Sequence, residues 1–267
     1  MLRKKNILNV GITDASKDEI LEYIIKGLTK DGKKYFIVTP NPEILVMASK
    51  NIDYQKVLNK AEIALADGIG VMIAGQILGK QLKERITGVD LLESLCLRVA
   101  EKPITVGFLG GKPGVAERTA ECLGIKYPSL KIAFAASEWS MNGFETAKKI
   151  ESRIKNQELR KENDHDSLFM IHNSIDILFV AFGAPKQELW MNENLDKIPV
   201  KVAIGVGGSF DYISGEVFRA PLLIRLIGFE WLFRLMVQPW RIKRQLTLLE
   251  FIWLVLKEKF LSPQNAS

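Results

Sequence analysis

Asp67 stands in residues 61–70, AEIALADGIG, a short apolar run that breaks at Ala66-Asp67-Gly68. A carboxylate just past a buried strand belongs at the carboxyl edge of a parallel sheet, where open α/β sheets bind their ligands. An ordinary aspartate, with a pKa of about 3.9, is ionised at neutral pH and suited to take up a proton. Asp67 is therefore the leading candidate for a general base. The plainer alternative is that it caps the helix that follows, a common use of Asp. Five further residues, Thr39, Asn41, Gly110, Gln187 and Asp211, also fall just past predicted strands. Parallel strands would bring such ends to one rim, and small polar groups there suit a hydroxyl-rich ligand such as a sugar nucleotide.

Other motifs are less specific. Residues 107–114, GFLGGKPG, lie between a strand and a helix, where Gly110 and Gly111 could bring backbone N–H groups to a phosphate. The segment lacks GxGxxG spacing, so an ordinary tight turn explains it equally well. Asp164-His165-Asp166 has the DxD form of a metal-holding motif but falls in the charged run ENDHDS rather than at a strand end. A solvated loop is the better reading, and no metal or other cofactor is expected. With His172 the only other histidine, a His-dependent nucleophilic triad has little to draw on.

The elements that must position these residues alternate. Strands are predicted over 6–10, 35–38, 61–66, 104–109, 130–135, 175–182 and 200–206. Helices are predicted over 16–29, from Pro42, and over 69–78, 91–100, from Val115, 147–162 and 186–194. Ser16 would cap the first of these helices. Pro40 and Pro42 bracket Asn41, which forbids helix before Pro42 and suits Pro42 to a first helical turn. Such alternation predicts an α/β fold with a Rossmann-like, mostly parallel sheet carrying helices on both faces. Residues 158–173 read as an exposed, charge-rich insertion.

After Asp211 the alternation stops. Residues 218–237 and 242–259 are apolar helical patterns broken at Gln238-Pro239, and the stretch from 218 to 259 holds three of the five tryptophans. It also holds most of the charge. From Phe218 onward eight Lys or Arg stand against three Glu, so +5 of the formal +6 lies in this tail. Arg225, Glu230 and Arg234 interrupt the first run and Glu250 the second, so neither has the roughly 20 uncharged residues of a membrane span. Basic residues among Trp, Phe and Leu suit an interfacial helix on anionic lipid, although a helical pair packed on its own core is an alternative. The division expected is a core over 1–217 and a C-terminal helical membrane-associating appendage over 218–267. The basic N-terminus has too short an apolar run for a signal peptide, and Cys96 and Cys122 have no pairing partner in a CxxC. A cytoplasmic protein is expected.

At this point the residues resemble a known family. Thr39-Pro-Asn-Pro-Glu43, Ala66-Asp-Gly68, Glu84-Arg-Ile-Thr-Gly-Val-Asp90 and Phe182-Gly-Ala-Pro-Lys-Gln-Glu188 are similar to segments of the WecG/TagA/CpsF glycosyltransferases. So are Gly205-Val-Gly-Gly-Ser-Phe-Asp211, Arg219-Ala-Pro221, Glu230-Trp-Leu-Phe-Arg234 and Gln238-Pro-Trp-Arg-Ile-Lys-Arg244. They run in family order over nearly the whole chain. The resemblance implies an inverting, metal-independent transfer of a sugar, typically N-acetylmannosamine, from a UDP-sugar donor. The acceptor it implies is a polyprenyl-diphosphate-linked N-acetylglucosamine in surface-polymer or teichoic acid synthesis.

It further implies Asp67 as base, Thr39 and Asn41 in the sugar pocket, and Arg85, Gln187 and Asp211 as substrate residues. Arg234, Arg241 and Arg244 would complete the site at the inner face of the cell membrane, where they meet the leaving group or lipid diphosphate. Two departures stand out. Ala66 replaces a frequent proline, and residues 137–144, SEWSMNGF, lack a His-Gly-Tyr type sequence. The second leaves the donor sugar open, so a different hexose or uronic acid is an alternative. Homo-oligomerisation is open as well. A non-enzymatic membrane or nucleic-acid module is the competing class, against which the long aliphatic runs argue, and no nucleic acid is expected as partner.

Overall fold

Short runs of β-branched and aromatic residues supply the strands, and glycine- or proline-containing turns end them. The computed structural model describes residues 2–29, 33–138, 145–146, 148–150, 152, 174–239 and 242–261, the side chains of 29 and 243–245 excepted. In chain order the first elements are β1 (Lys4–Ile7), β2 (Val10–Thr13), α1 (Lys17–Thr29), β3 (Tyr35–Val38), α2 (Pro42–Lys50) and α3 (Ile52–Lys60). Next come β4 (Ile63–Ala64), α4 (Ile69–Ile77), α5 (Gly88–Val99), β5 (Thr105–Gly110), α6 (Val115–Lys126) and β6 (Lys131–Ala136). The remainder is β7 (Ile175–Ala181), α7 (Lys186–Asn194), β8 (Val200–Gly205), α8 (Ser209–Ile213), α9 (Leu222–Leu226), α10 (Glu230–Val237) and α11 (Ile242–Leu261). The chain divides into two compact units, residues 1–16, 39–87 and 218–267 in the first, and 17–38 and 88–217 in the second.

The second unit holds the parallel sheet expected of an α/β chain. Its strands lie in the order β3-β8-β7-β5-β6, every neighbouring pair parallel. Each residue of β5 and of β7 is buried. Because alternate side chains of a strand point to opposite faces, burial at every position means that both faces are covered. Phe108 stacks on Phe179 at 5.6 Å and meets Phe210 edge-on at 5.8 Å, so the sheet's aromatic core reaches the residue before Asp211. At the amino ends of the strands Asp176 Oδ2 accepts the Thr105 N–H at 2.8 Å, and its Oδ1 pairs with Lys201 at 2.7 Å. That carboxylate fastens strands at the end away from the strand-end loops.

The first unit is built on a hairpin. Where a single strand over 6–10 is expected, β1 and β2 pair antiparallel and Leu8-Asn9 turn between them. Both turn residues have positive φ, 50° and 61°, the sense that matches the twist of a two-residue hairpin. Ala64 of β4 donates its N–H to Thr13 Oγ1 of β2 at 3.0 Å. One boundary also moves, since helix α5 begins at Gly88 rather than Leu91. The expected helix over 147–162 lies largely outside the described residues.

The tail belongs to this unit. Phe251 and Val255 of α11 are buried, whereas Leu249, Ile252, Trp253, Leu256 and Phe260 are exposed. These sets alternate at the spacing of two helix faces, one packed and one apolar but open. Glu250 pairs with Lys50 of α2 at 2.7 Å, and Glu258 pairs with Lys80 at 2.8 Å while accepting the Leu8 N–H at 3.0 Å. Helices α9 and α10 have no buried residue. Among the described residues no helix is long and apolar enough to cross a membrane.

Candidate functional site

Asp67 sits half-buried on the segment between β4 and α4. Two backbone hydrogen bonds hold that segment from either side. Asp67 donates its N–H to the Pro40 carbonyl at 2.9 Å, and Ile86 donates its N–H to the Ala66 carbonyl at 3.1 Å. Three motifs distant in sequence, at 39–43, 66–68 and 84–87, are thereby joined at the carboxylate. The capping alternative does not hold. The residue before α4 is Gly68, with φ 99° and no side-chain cap bond, a conformation that L side chains rarely adopt. Asp67 stands one position too early to be the cap residue.

Asn41 is the cap of its own helix. Its Oδ1 accepts the Ile44 N–H at 3.0 Å and Pro42 follows at the first helical position, as the Pro-Asn-Pro spacing leads one to expect. The cap uses the acceptor side of the amide and leaves its NH₂ donors for a ligand. Thr39, one residue before Pro40, is buried.

The arginines divide into distinct groups. Arg219 Nε lies 3.2 Å from Glu230 Oε1, with both side chains only about one-sixth exposed (16% and 15%), which closes the loop carrying α9. This pair gives a structural reason for two of the motif residues. Arg85 donates Nη2–H to the Arg225 carbonyl at 2.8 Å. Arg234 Nε donates to Gln238 Oε1 at 3.4 Å. Arg241 and the Arg244 side chain lie outside the described residues. Gly228 closes α9 at φ 83°, and a Cβ there would come within 2.8 Å of Ile69 Cβ, two residues beyond Asp67. The α9–α10 corner therefore rests against the first residue of α4.

The remaining expected site residues are in the second unit, at the carboxyl ends of adjacent strands. Gly110 ends β5 at φ 105°, and a Cβ would lie 2.7 Å from Phe182 Cδ1. Gly111 has φ 85° and donates its N–H to the Ala181 carbonyl at 2.9 Å. The entrance of α6 carries a carboxylate of its own. Ala116 N–H goes to Ser137 Oγ at 3.1 Å, and Ser137 in turn donates to Glu117.

Gln187, 1% exposed, accepts the Gly207 N–H on Oε1 at 3.1 Å and donates Nε2–H to Glu188 Oε1 at 2.7 Å. Its amide oxygen thus positions the loop after β8, while Glu188 on the same helix holds the other end of the amide. Asp211 lies in the first turn of α8, half-buried beside the Phe210 stack. Gly88 is the glycine of the 84–90 motif because a Cβ there would sit 3.2 Å from Ser209 Oγ and from the Val206 carbonyl.

Sequence reasoning used Arg225 only as a charge against a membrane span and passed over the Ser137–Glu117 pair. Arg225 is the single charge between Arg219 and Glu230, a signal lost among the other tail cations. Asp164, His165, Asp166 and His172 lie outside the described residues, as do 139–144 of the SEWSMNGF segment. Among the described residues no three His, Cys, Asp or Glu side chains gather to hold a metal ion. Burial pushes the Cys96 thiol far up, which makes it a packing residue rather than a nucleophile.

Three proteins similar to this chain carry the name N-acetylglucosaminyldiphosphoundecaprenol N-acetyl-beta-D-mannosaminyltransferase. That of Bacillus spizizenii (strain ATCC 23059 / NRRL B-14472 / W23) is 32% identical over 258 residues, 97% of this chain and 93% of the relative. Those of Bacillus subtilis (strain 168) and Staphylococcus aureus (strain MRSA252) are each 30% identical over 258 residues, covering 97% and 96% of this chain and 93% of each relative. Residues 5–265 match the glycosyl transferase WecG/TagA/CpsF family, and with the motif segments joined around Asp67 the chain belongs to that family of glycosyltransferases.

Proposed function

We propose that this glycosyltransferase moves N-acetylmannosamine from its UDP conjugate to N-acetylglucosamine linked through diphosphate to undecaprenol, with inversion and without a metal ion. The substrate names come from the relatives at 30–32% identity. The observation that carries the chemistry is Asp67, held between the Pro40 and Ile86 segments beside the Asn41 cap. A β-linked product from an α-linked nucleotide sugar requires displacement with inversion, and that needs one base and no covalent intermediate.

In this reading a hydroxyl of the acceptor sugar gives its proton to the Asp67 carboxylate as its oxygen attacks the donor's anomeric carbon. The bond from that carbon to the UDP oxygen breaks, and UDP departs with the electron pair. Guanidiniums stabilise its charge by paired N–H contacts, work assigned to Arg234, Arg241 and Arg244. Thr39, Asn41 and Arg85 are assigned to substrate binding in the first unit, and Gly110, Gly111 and Asp211 in the second. Gln187 serves that binding by fixing the loop at Gly207.

Residues 218–267 act as an appendage on the 1–217 core that associates with the inner face of the cell membrane. The open apolar faces of α9, α10 and α11 support this. The decisive experiment is turnover of a panel of UDP-sugars with a synthetic polyprenyl-diphosphate-GlcNAc acceptor, with and without EDTA. UDP-N-acetylmannosamine should be the preferred donor at an unchanged rate in chelator. Preference for another hexose or a uronic acid would overturn the donor, and loss in EDTA restored by Mn²⁺ would overturn metal independence.

A further inference from the structure

Arg225 lies in APLLIRLIGF, the apolar run between Arg219 and Glu230. Its neighbours on α9, Leu222, Leu223 and Leu226, are strongly exposed. Yet the Arg225 Nε is buried from solvent and has no hydrogen-bond partner. A buried N–H left unmade costs roughly 1–3 kcal/mol, and more on a charged group. Groups left in that state call for a specific explanation, of which an absent ligand is one. Arg219, six residues earlier, shows the contrast, since its Nε is satisfied by Glu230.

A second cation reaches the same place. Arg85 donates one N–H to the Arg225 carbonyl, out of the five that a guanidinium carries. Among the described residues no carboxylate pairs with either arginine. The Arg225 side chain, with the Arg85 guanidinium held to the Arg225 backbone and neither paired with a carboxylate among these residues, suits an anion with oxygens enough for both. Adjacent phosphates meet that need through paired N–H contacts.

The surroundings narrow the choice. Exposed leucines next to Arg225 along α9 suit a ligand that is charged at one point and hydrocarbon next to it. A polyprenyl diphosphate has that order, whereas UDP joins its diphosphate to a polar nucleoside.

We propose that Arg225, together with Arg85, binds the diphosphate of a polyprenyl-linked ligand. This rests on the lipid-linked acceptor of the proposed function and assigns it a residue outside the motif segments. Arg225 is a binding residue here, and no proton or bond changes hands at it.

The test is titration of the full-length protein with farnesyl diphosphate, and separately with UDP, for the wild type, R225Q and R225K. R225Q should weaken farnesyl diphosphate binding by about 10- to 100-fold, the range of a lost charge-assisted hydrogen bond. UDP binding should stay within about twofold. R225K, which keeps the charge but not the planar fork, should fall between. The Arg85 bond goes to a backbone carbonyl, so R225Q leaves that tie in place.

Should R225Q fail to fold, phenylglyoxal modification of the native protein gives the same answer. Farnesyl diphosphate should protect Arg225 and UDP should not. Unchanged farnesyl diphosphate binding in a folded R225Q, loss of UDP binding instead, or absence of protection overturns the proposal. A wild-type enzyme that binds farnesyl diphosphate through Arg225 but turns over no GlcNAc-diphosphoundecaprenol keeps this subsite and refutes the acceptor reading.

Discussion

Glu258 Oε1 meets the Lys80 ammonium at 2.8 Å while its Oε2 accepts the Leu8 N–H at 3.0 Å. One carboxylate near the end of the chain therefore secures both the loop after α4 and the turn of the N-terminal hairpin. Glu258→Ala should lower the free energy of unfolding by about 1–3 kcal/mol, the range for hydrogen bonds to a charged group. Glu258→Gln, which still accepts from Leu8, should lose less. Urea unfolding of the three proteins checks the order.

In the proposed mechanism Asp67 takes up the proton. Asp67→Asn keeps the shape and the N–H bond to Pro40 but cannot accept a proton. Turnover should fall by about 10²–10⁴-fold while affinity for UDP-sugar is retained. Single-turnover kinetics beside donor binding separates the two quantities, and near-normal turnover would end the assignment.

Asp14 supplies a pH signature. Burial alone would raise its carboxyl, but the Lys5 side chain at 2.8 Å and the Lys83 N–H at 2.9 Å outweigh burial and hold it below the ordinary range. A folded-state value below the unfolded one means stability that is present above about pH 4 and lost as pH falls through the lowered value. Thermal midpoints should therefore drop more steeply below pH 4 in the wild type than in Asp14→Asn, which lacks the titration. Equal slopes would remove Asp14 from the acid response.

The exposed side of α9 offers a membrane test. Leu223→Asp with Leu226→Asp alters residues that are 76% and 70% exposed, so the fold should be spared. Sedimentation with anionic vesicles should fall several-fold, since apolar insertion and electrostatic attraction act together. Unchanged sedimentation would move the lipid contact elsewhere.

How far the chain could be read in advance depended on where each cause lay. Strands β3, β5, β7 and β8 are short stretches rich in Val, Ile, Leu and Phe closed by Thr-Pro, Gly-Gly, Gly-Ala-Pro and Val-Gly-Gly, and both cause and signal are local. Helix α2 was legible from its first residue, Pro42, whereas the cap bond of Asn41 to Ile44 was not anticipated. The hairpin was not legible, since Leu8 at φ 50° is a residue no turn rule selects.

The need for glycine at 88, where α5 begins, has a tertiary cause, the close approach of Ser209 and Val206. Asp67 could be singled out but not understood. Its local context suits a cap, and only the bonds from Pro40 and Ile86 reveal a carboxylate held between two other motifs. The unpartnered state of the Arg225 Nε stayed hidden because a missing partner leaves no trace in composition.

The ion pairs at Glu250 and Glu258 lie eight residues apart on α11, about 12 Å along the helix at 1.5 Å per residue. Pinned at both points, the helix loses its freedom to roll about its own axis. A rolling helix could turn any side toward a bilayer, whereas this one offers only the stripe through Ile252, Trp253, Leu256 and Phe260. The enzyme would then alight on lipid in a single attitude. The height of Asp67 above the headgroups would be the same at every landing, and the acceptor sugar would be met at a depth set before it arrives.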